Sequence, residues 1–440
     1  MDPLAQPRIV IVGAGFAGLA VAQGLARSAA QVTVIDRQNH HLFQPLLYQV
    51  ATASLSGTDI AQPIRHILRR HRNVSVLRGE VTGVDRASRL VEMGGRQVPY
   101  DMLVVATGAA TNYFGHPEWE AAAPGLKTLA DAQRLRGRIL EAFEAAEAAI
   151  DPKARRKAMT FAIVGGGPTG VELAGSVAEL ARQTLKRDFR HIEPHSAKVL
   201  LFEAGPRILP AFPEPLIAYA ERQIAELGVE LRTGKPISAI SAEGVTVEGE
   251  VIPAATVVWA AGVRSTPAAG WLGVEADRAG RIAVDETLRL RGDPAVFVAG
   301  DIALVNGPEG TPLPGLAQVA QQQGQHVARA ILALMRGEPA PPFRYRNLGI
   351  WAIIGRNVAI ARVSGWSLKG RAAWIAWGLI HIALLVGFEN RFRVLLKWFW
   401  EYLTARRSAR LIVQAPAQET QGAQAAMARA DQARPERTPA

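Results

Sequence analysis

One kind of turn, met twice in the chain, limits what this sequence can fold into. Arg8–Val12 is a short apolar run, Gly13, Gly15 and Gly18 follow it with the spacing G-x-G-x-x-G, and an Ala/Leu-rich stretch runs from Phe16 to Arg27. The next apolar run, Val32–Ile35, ends at Asp36, 18 positions beyond Gly18. Strand, glycine turn, helix and strand with a closing carboxylate is the setting in which this motif binds a dinucleotide. The three glycines answer different demands. Gly13 permits the sharp turn, Gly15 lets a pyrophosphate approach the backbone, and Gly18 lets helix and strand pack closely. The helix N-terminus then faces the phosphates, and Asp36 is placed to accept ribose hydroxyls.

The pattern returns at AMTFAIVGGGPTGVELAGSVAELA, where Gly165, Gly167 and Gly170 hold the same register. The strand after it, KVLLFE, ends at Glu203, 33 positions beyond Gly170. That exceeds the usual separation of about 20 residues. RQTLKRDFRHIEPH accounts for the excess as a helical extension followed by a loop. An acid at Glu203 favours NADH over NADPH, because a carboxylate repels a 2′-phosphate, and the nearby Arg207 opposes that preference. Glu172 stands two positions past Gly170, where a carboxylate beside a pyrophosphate would be unhelpful. It reads either as a residue nearer the nicotinamide or as a helix-start acid favoured by the helix dipole.

Two further apolar runs lead into small-residue turns, LVVATGA with Gly108 and VVWAAGV with Gly262. Each closes one module where the chain crosses to the other. AVFVAGD puts Gly300 and Asp301 at the carboxyl end of another buried strand. Ligands of doubly wound sheets sit along that edge, so Asp301 is a candidate for ribityl hydroxyls, for a helix N-cap, or for both. With 440 residues, 49% of them hydrophobic, the chain can build two or three packed units. It contains no Cys, which excludes disulfides, Cys-bound metal centres and thiol nucleophiles. No metal site is expected, and MDPLAQPRIVIVGAG carries no signal-peptide pattern.

The net charge of +11 is concentrated near the end. Nine basic residues lie between Arg362 and Arg410 against two acidic ones, Glu389 and Glu401, together with five of the nine Trp. Basic residues interleaved with Trp suit nucleic acid or an anionic membrane surface. The surrounding sequence is too apolar for a nucleic-acid face, so no nucleic-acid partner is expected. Ala372–Phe388 is uncharged and 17 residues long, at the lower limit for crossing a bilayer. In the following RFRVLLKWFWEYLTARR, Arg393, Lys397 and Glu401 share one helix face, while Phe392, Leu395, Leu396, Phe399, Trp400 and Leu403 lie away from it. This reads as an interfacial amphipathic anchor. A single transmembrane helix and a dimer interface are the other two readings of the segment.

Together these segments resemble the bacterial type II NADH dehydrogenases, non-proton-pumping NADH:quinone oxidoreductases. The resemblance spans about Arg8 to Arg410. It rests on GAGFAG with Asp36, HHLFQPLLYQVAT (His40–Thr52), GGGPTGVELAG (Gly165–Gly175), AGD (Ala299–Asp301), AQVAQQ (Ala317–Gln322) and WGLIHIALLVGFENRFRVLLKWFWEYLT. It implies an α/β fold of two nested Rossmann-like dinucleotide-binding domains, glutathione-reductase-like, with a C-terminal membrane-attachment region. FAD, bound non-covalently, is expected in a discontinuous domain of residues 7–115 and 280–340, and NADH, the substrate, in residues 116–279. Residues 341–410 would form a cap and anchor, and 411–440 a disordered tail, Ala/Gln/Pro-rich from Ala415.

The expected site follows. Gly13, Gly15, Gly18, Asp36, Gly108, Gly300, Asp301 and Ala317 would bind FAD, the last by starting a helix aimed at the flavin's pyrimidine edge. Gly165, Gly167, Gly170, Glu203 and Gly262 would bind NADH. By the resemblance, Gln318 and Gln322 line a quinone pocket and orient the quinone, against the reading of an ordinary polar helix face, and Glu172 contacts NADH or quinone and handles a proton. The partners implied are a membrane quinone and an anionic bilayer surface at the cytoplasmic face of the inner membrane, with a homodimer left open. A soluble ferredoxin-type reductase of the same fold is the alternative.

Overall fold

Two parallel sheets, each carrying one of the glycine turns, organise the chain. In the computed structural model, which describes residues 6–307, 310–404 and 406–412, the first turn joins β1 (Arg8–Val12) to α1 (Phe16–Gly24). The chain continues through β2 (Gln31–Asp36), the short helix α2 (Leu47–Ala51), β3 (Val74–Arg78) and β4 (Met102–Val105). A crossing strand, β5 (Ala109–Thr111), and the long helix α3 (Leu129–Ala148) lead to the second sheet. There β6 (Thr160–Val164), α4 (Pro168–Glu179), β7 (Lys198–Glu203), β8 (Val229–Thr233) and β9 (Thr256–Trp259) repeat the first pattern. The chain crosses back in β10 (Val263–Ser265) and completes the first module with β11 (Arg289–Leu290), β12 (Asp293–Val298) and α5 (Ala317–Met335).

The first sheet has the order β11-β12-β4-β1-β2-β3, parallel except for β11. The second has the order β8-β7-β6-β9 and is parallel throughout. In each, the strand before the glycine turn has its successor on one side and a later strand on the other. That reversal opens a crevice at the carboxyl ends. Ile9, Val10, Ile11 and Val12, like every residue of β6, are buried, as strands covered on both faces require. α1 stops at Gly24, short of the Arg27 suggested by composition. A Cβ at Gly24 would lie 2.5 Å from the Ala328 Cβ, so α1 and α5 meet on their smallest residues.

The excess spacing before Glu203 is accounted for by a π-helical turn, Leu180–Thr184, and a loop ending in the short helical turn Pro194–Ser196. The two crossings pair with each other, which their sequences do not announce. β5 and β10 run antiparallel with Ala110 opposite Arg264, and the Thr107 and Thr266 hydroxyls meet at 2.5 Å.

After α5 the chain forms an antiparallel sheet of β13 (Ile350–Gly355), β14 (Val358–Val363) and β15 (Trp366–Lys369). Two helices follow, α6 (Gly370–Leu384) and α7 (Phe388–Thr404), separated by an elbow in which Gly387 has φ +87°. The elbow interrupts the uncharged run. α6 has 15 residues, about 22 Å of helix, against a hydrocarbon core of roughly 30 Å. Among the described residues no helix is long and apolar enough to cross a membrane.

α7 is turned opposite to an ordinary surface helix. Lys397 pairs with Asp59, which is 2% exposed, and Glu401 takes the Ser54 hydroxyl and the Arg407 guanidinium. The apolar positions Phe392, Leu395, Leu396, Phe399, Trp400 and Leu403 point outward, each about half exposed or more. The polar stripe read from sequence therefore faces the protein at Lys397 and Glu401. The reason is electrostatic: Asp59 is removed from water and requires a cation. Among the described residues, all the exposed large apolar side chains except Phe114, Ile150, Val251, Val263 and Leu348 come after residue 365. The tail from 413, where disorder was expected, lies outside the described residues.

Candidate active site

The two glycine turns are near-copies in space. Gly13 and Gly165 have φ +99° and +114°, and a Cβ on either would strike backbone at the end of the neighbouring strand, Ala106 O at 2.3 Å and Ala260 C at 2.7 Å. A Cβ at Gly18 or Gly170 would fall 1.8 Å from the carbonyl oxygen of Gly13 or Gly165. Gly15 and Gly167 differ. Their φ values, −67° and −70°, suit any residue, and a Cβ would meet nothing within 4 Å. Among the described residues nothing requires glycine there, and the backbone at both positions is open to approach from outside. α1 and α4 both start at these glycines without a side-chain cap, leaving first-turn N–H groups for an anion.

The two acids also match. Asp36 accepts the N–H groups of Ala14 and Gln38, each at 2.7 Å. Glu203 accepts those of Gly166 and Gly205 at 2.6 and 2.7 Å. Each carboxylate thus braces its own glycine turn and keeps further lone pairs free. Arg207, the nearby candidate for reading a 2′-phosphate, is held by Glu214 and Glu221. Its charge is already matched, and Glu203 is left to set the local field.

Asp301 lies beyond β12 and caps no helix, because α5 starts at Ala317 with Leu316 as its cap residue. Burial raises the Asp301 carboxyl, with Lys127 opposing the shift, and burial lowers Lys127, with Asp301 opposing. Gly300, at φ +85°, would place a Cβ 3.4 Å from that of Ala17 and 3.8 Å from that of Ala320. The starts of α1 and α5 therefore meet at this turn, and the buried Gln323 of α5 accepts its Gly300 N–H. Gly108 has φ +70° with open space about it, and Gly262 has φ +89° with the Phe114 ring against it.

Between the modules lies a cavity lined by residues of both, among them Gln44, Tyr48, Lys127, Glu172, Trp259 and Gly262. Glu172 is the chemically distinctive member. Its carboxyl is pushed up to about 8 by loss of solvation, opposed by the Ile353 N–H at 3.4 Å. It is therefore protonated at neutral pH. Sequence singled out Glu172 and Gly262 but passed over Tyr48 and Lys127. Tyr48 stood within the quoted FQPLLYQ run, whereas Lys127 carried no pattern.

Gln318 and Gln322 are placed elsewhere. Gln318 donates to Gly349 O at 2.7 Å and accepts from Leu348 N at 3.1 Å, and Gln322 exchanges two 2.9 Å bonds with the backbone of Arg346. Both amides strap the entry to the cap sheet onto α5. That sheet also lies against α4, where a Cβ on Gly175 would fall 1.9 Å from Ile354 O. The cap thus bridges the two modules beside Glu172.

Known proteins agree with this architecture. Residues 7–324 match the family described as pyridine nucleotide-disulphide oxidoreductase. The chain is 44% identical over 426 residues to the type II NADH:quinone oxidoreductase Ndh of Mycobacterium tuberculosis, covering 92% of this chain and 91% of that one. It is 42% identical to NdhA of the same organism, a protein of the same description, covering 98% and 96%. A solved structure of NDH2 from Plasmodium falciparum in complex with NADH superimposes with a TM-score of 0.84 at 20% identity, covering 93% of this chain and 100% of that one. The chain belongs to the pyridine nucleotide-disulphide oxidoreductase family and, within it, to the type II NADH:quinone oxidoreductases.

Proposed function

We propose that the first module (7–115 and 280–340) holds FAD non-covalently, that the second (116–279) takes NADH, and that the cavity between them is where quinone is reduced. The observation that carries this reading is the position of Glu172, a carboxyl raised by burial and, among the described residues, in no ion pair, in a cavity lined by both modules. The Gly13–Gly15–Gly18 turn would receive the FAD pyrophosphate, Asp36 its ribose, Asp301 with Gly300 the ribityl chain, and the first turn of α5 at Ala317 the pyrimidine edge, with Gly108 beside it. Bound there, FAD supplies a two-electron relay between the substrates. Gly165, Gly167 and Gly170 would take the NADH pyrophosphate, Glu203 its ribose, and the Gly262 turn would flank the nicotinamide.

Reduction of a quinone by NADH consumes one hydride equivalent and one proton and yields quinol and NAD⁺. Hydride movement needs alignment and no protein base. The proton does need a source, and Glu172 is placed to give it and to regain it from solvent. Gln318 and Gln322 act on the quinone site by holding residues 346–349 in place.

The outward apolar faces of α6 and α7 support peripheral attachment to the cytoplasmic face of the inner membrane, where lipid-soluble quinone and aqueous NADH meet. The excess basic charge suits anionic lipid, at about 1 kcal/mol per residue near the surface. Among the described residues no helix is long and apolar enough to cross a membrane, and the reading taken here is a non-electrogenic reaction. A homodimer would cover part of the same face. Deleting residues from 372 onward should release the protein from anionic liposomes and sharply reduce turnover with a long-chain quinone, while flavin retention and NADH reduction of a water-soluble acceptor survive better. The intact enzyme in sealed vesicles should oxidise NADH without building a membrane potential. Co-sedimentation of the truncated protein, or a potential formed by the intact one, would overturn these assignments.

A further inference from the structure

An amide links the outward-facing helix α7 to a residue of the cavity. Gln49, in α2, is 8% exposed. Its Oε1 accepts the indole N–H of Trp398 at 2.8 Å, and its Nε2 donates to the Tyr48 hydroxyl oxygen at 3.0 Å. These directions are not interchangeable. An indole nitrogen only donates, so the amide oxygen faces Trp398 and the NH₂ faces Tyr48. The Tyr48 oxygen therefore spends an acceptor position on Gln49 and keeps its own proton for another partner. Tyr48 is 5% exposed, lines the same cavity as Glu172, and has its phenol raised by burial first and by the Glu172 charge second. A buried phenol that keeps its proton needs an acceptor, and a quinone carbonyl is one.

We propose that Tyr48 donates a hydrogen bond to a carbonyl oxygen of the quinone, and that Gln49 is a positioning residue which aims that donor because Trp398 of α7 fixes the direction of its amide. The proposal rests on the placement of quinone beside Glu172 given above. It makes the seating of the membrane-facing helix and the presentation of a hydrogen-bond donor parts of one network. No proton is transferred by Tyr48. It binds the carbonyl, and the proton consumed comes from Glu172.

The test uses full-length enzyme, a short-chain quinone, and stopped-flow reduction of the flavin by NADH as the control half-reaction. Tyr48→Phe removes the donor. Gln49→Glu replaces the NH₂ by a second acceptor, so the Tyr48 proton turns away from the cavity. Each should raise the quinone KM about tenfold, the worth of one hydrogen bond, with flavin reduction within twofold of the parent. Because both remove one interaction, the double variant should be no worse than either single. Trp398→Phe keeps a ring but frees the amide and should raise KM about threefold. If Gln49→Glu does not fold, Trp398→Phe with Tyr48→Phe completes the same cycle. A parental quinone KM in Tyr48→Phe, or additive losses in the double variant, overturns the proposal. Glu172→Gln separates the two levels: if it impairs the quinone step while Tyr48→Phe is silent, only the Tyr48 assignment falls. If both are silent, quinone does not bind in this cavity and the underlying reading falls with it.

Discussion

Glu172 and Glu179 lie seven residues apart on α4, and the protein treats them in opposite ways. Both are raised above the ordinary carboxylate range, chiefly by burial. Glu179 is pulled back by Arg407, which pairs with it at 3.4 Å, and by Arg356, whose backbone N–H it accepts. Arg407 is 5% exposed and also binds Glu401 and the carbonyls of Thr52 and Ser176. Among the described residues Glu172 has no such cation, only a distant backbone N–H. A paired carboxylate locks elements together, here the end of α7 onto α4 and α2. An unpaired one stays near its titration point and is free to trade protons. Asp36 and Glu203 show a third treatment, stabilised by backbone N–H groups and left with lone pairs for a ligand.

The strongest way to break the contrast is Arg407→Ala. It strands Glu179 and Glu401 together, and removing one member of a buried ionic cluster costs about 3 kcal/mol or more. Urea unfolding followed by Trp fluorescence should show a loss of that size at pH 7. Arg407 lowers the Glu179 value, so its removal raises it further. A raised carboxyl favours the folded state at low pH, and the deficit should therefore shrink as pH falls toward 5. An equal deficit at both pH values would mean that lost packing, and not stranded charge, causes it.

The next effect is catalytic. With its value near 8, Glu172 is protonated at pH 7 and loses the proton as pH rises through about 8. Quinone turnover should fall along that limb. Glu172→Gln should remove the limb and lower the rate by on the order of a hundredfold, the usual worth of a general acid. A limb that persists in the variant assigns it to another group.

The smallest effect concerns the third treatment. Glu203→Gln keeps an acceptor for Gly166 N but removes the charge. The preference for NADH over NADPH in kcat/KM should narrow about fivefold, roughly 1 kcal/mol of screened repulsion. With Arg207 occupied by Glu214 and Glu221, the additional variant Glu221→Gln should narrow it further by freeing part of that cation. An unmoved ratio would remove Glu203 from ribose reading.

What could be read from sequence divides along contact range. Gly13, Gly18, Gly165 and Gly170 were legible because each acts on backbone a few residues away or on a strand predictable from its own apolar run. Gly15 and Gly167 were legible for the reverse reason, since the motif needs glycine where the protein does not. The partners of Gln318 and Gln322 were not legible: a helical face of amides looks the same whether it meets a ligand or the backbone of Arg346 and Gly349. The orientation of α7 was hidden for a related reason. Its heptad-like alternation defines two faces, and partners distant in sequence, such as Asp59, 338 residues before Lys397, and Ser54 at Glu401, decide which turns inward. Tyr48 and Gln49 sat in a stretch noted for its resemblance, but the direction of their hydrogen bonds depends on an indole on another element.

The order of strands in the first sheet also bears on how the chain is made. β4 is completed on its outer edge by β12, with Leu103 opposite Val296, so that edge stays bare until nearly 300 residues have left the ribosome. The strands of the inserted module all fall between 160 and 259 and find their neighbours within about a hundred positions. Loop closure favours the shorter separations, so the insert should be the first sheet to be completed. The N-terminal residues would then wait, half assembled and with an open strand edge, for a partner that arrives only after the insert has emerged.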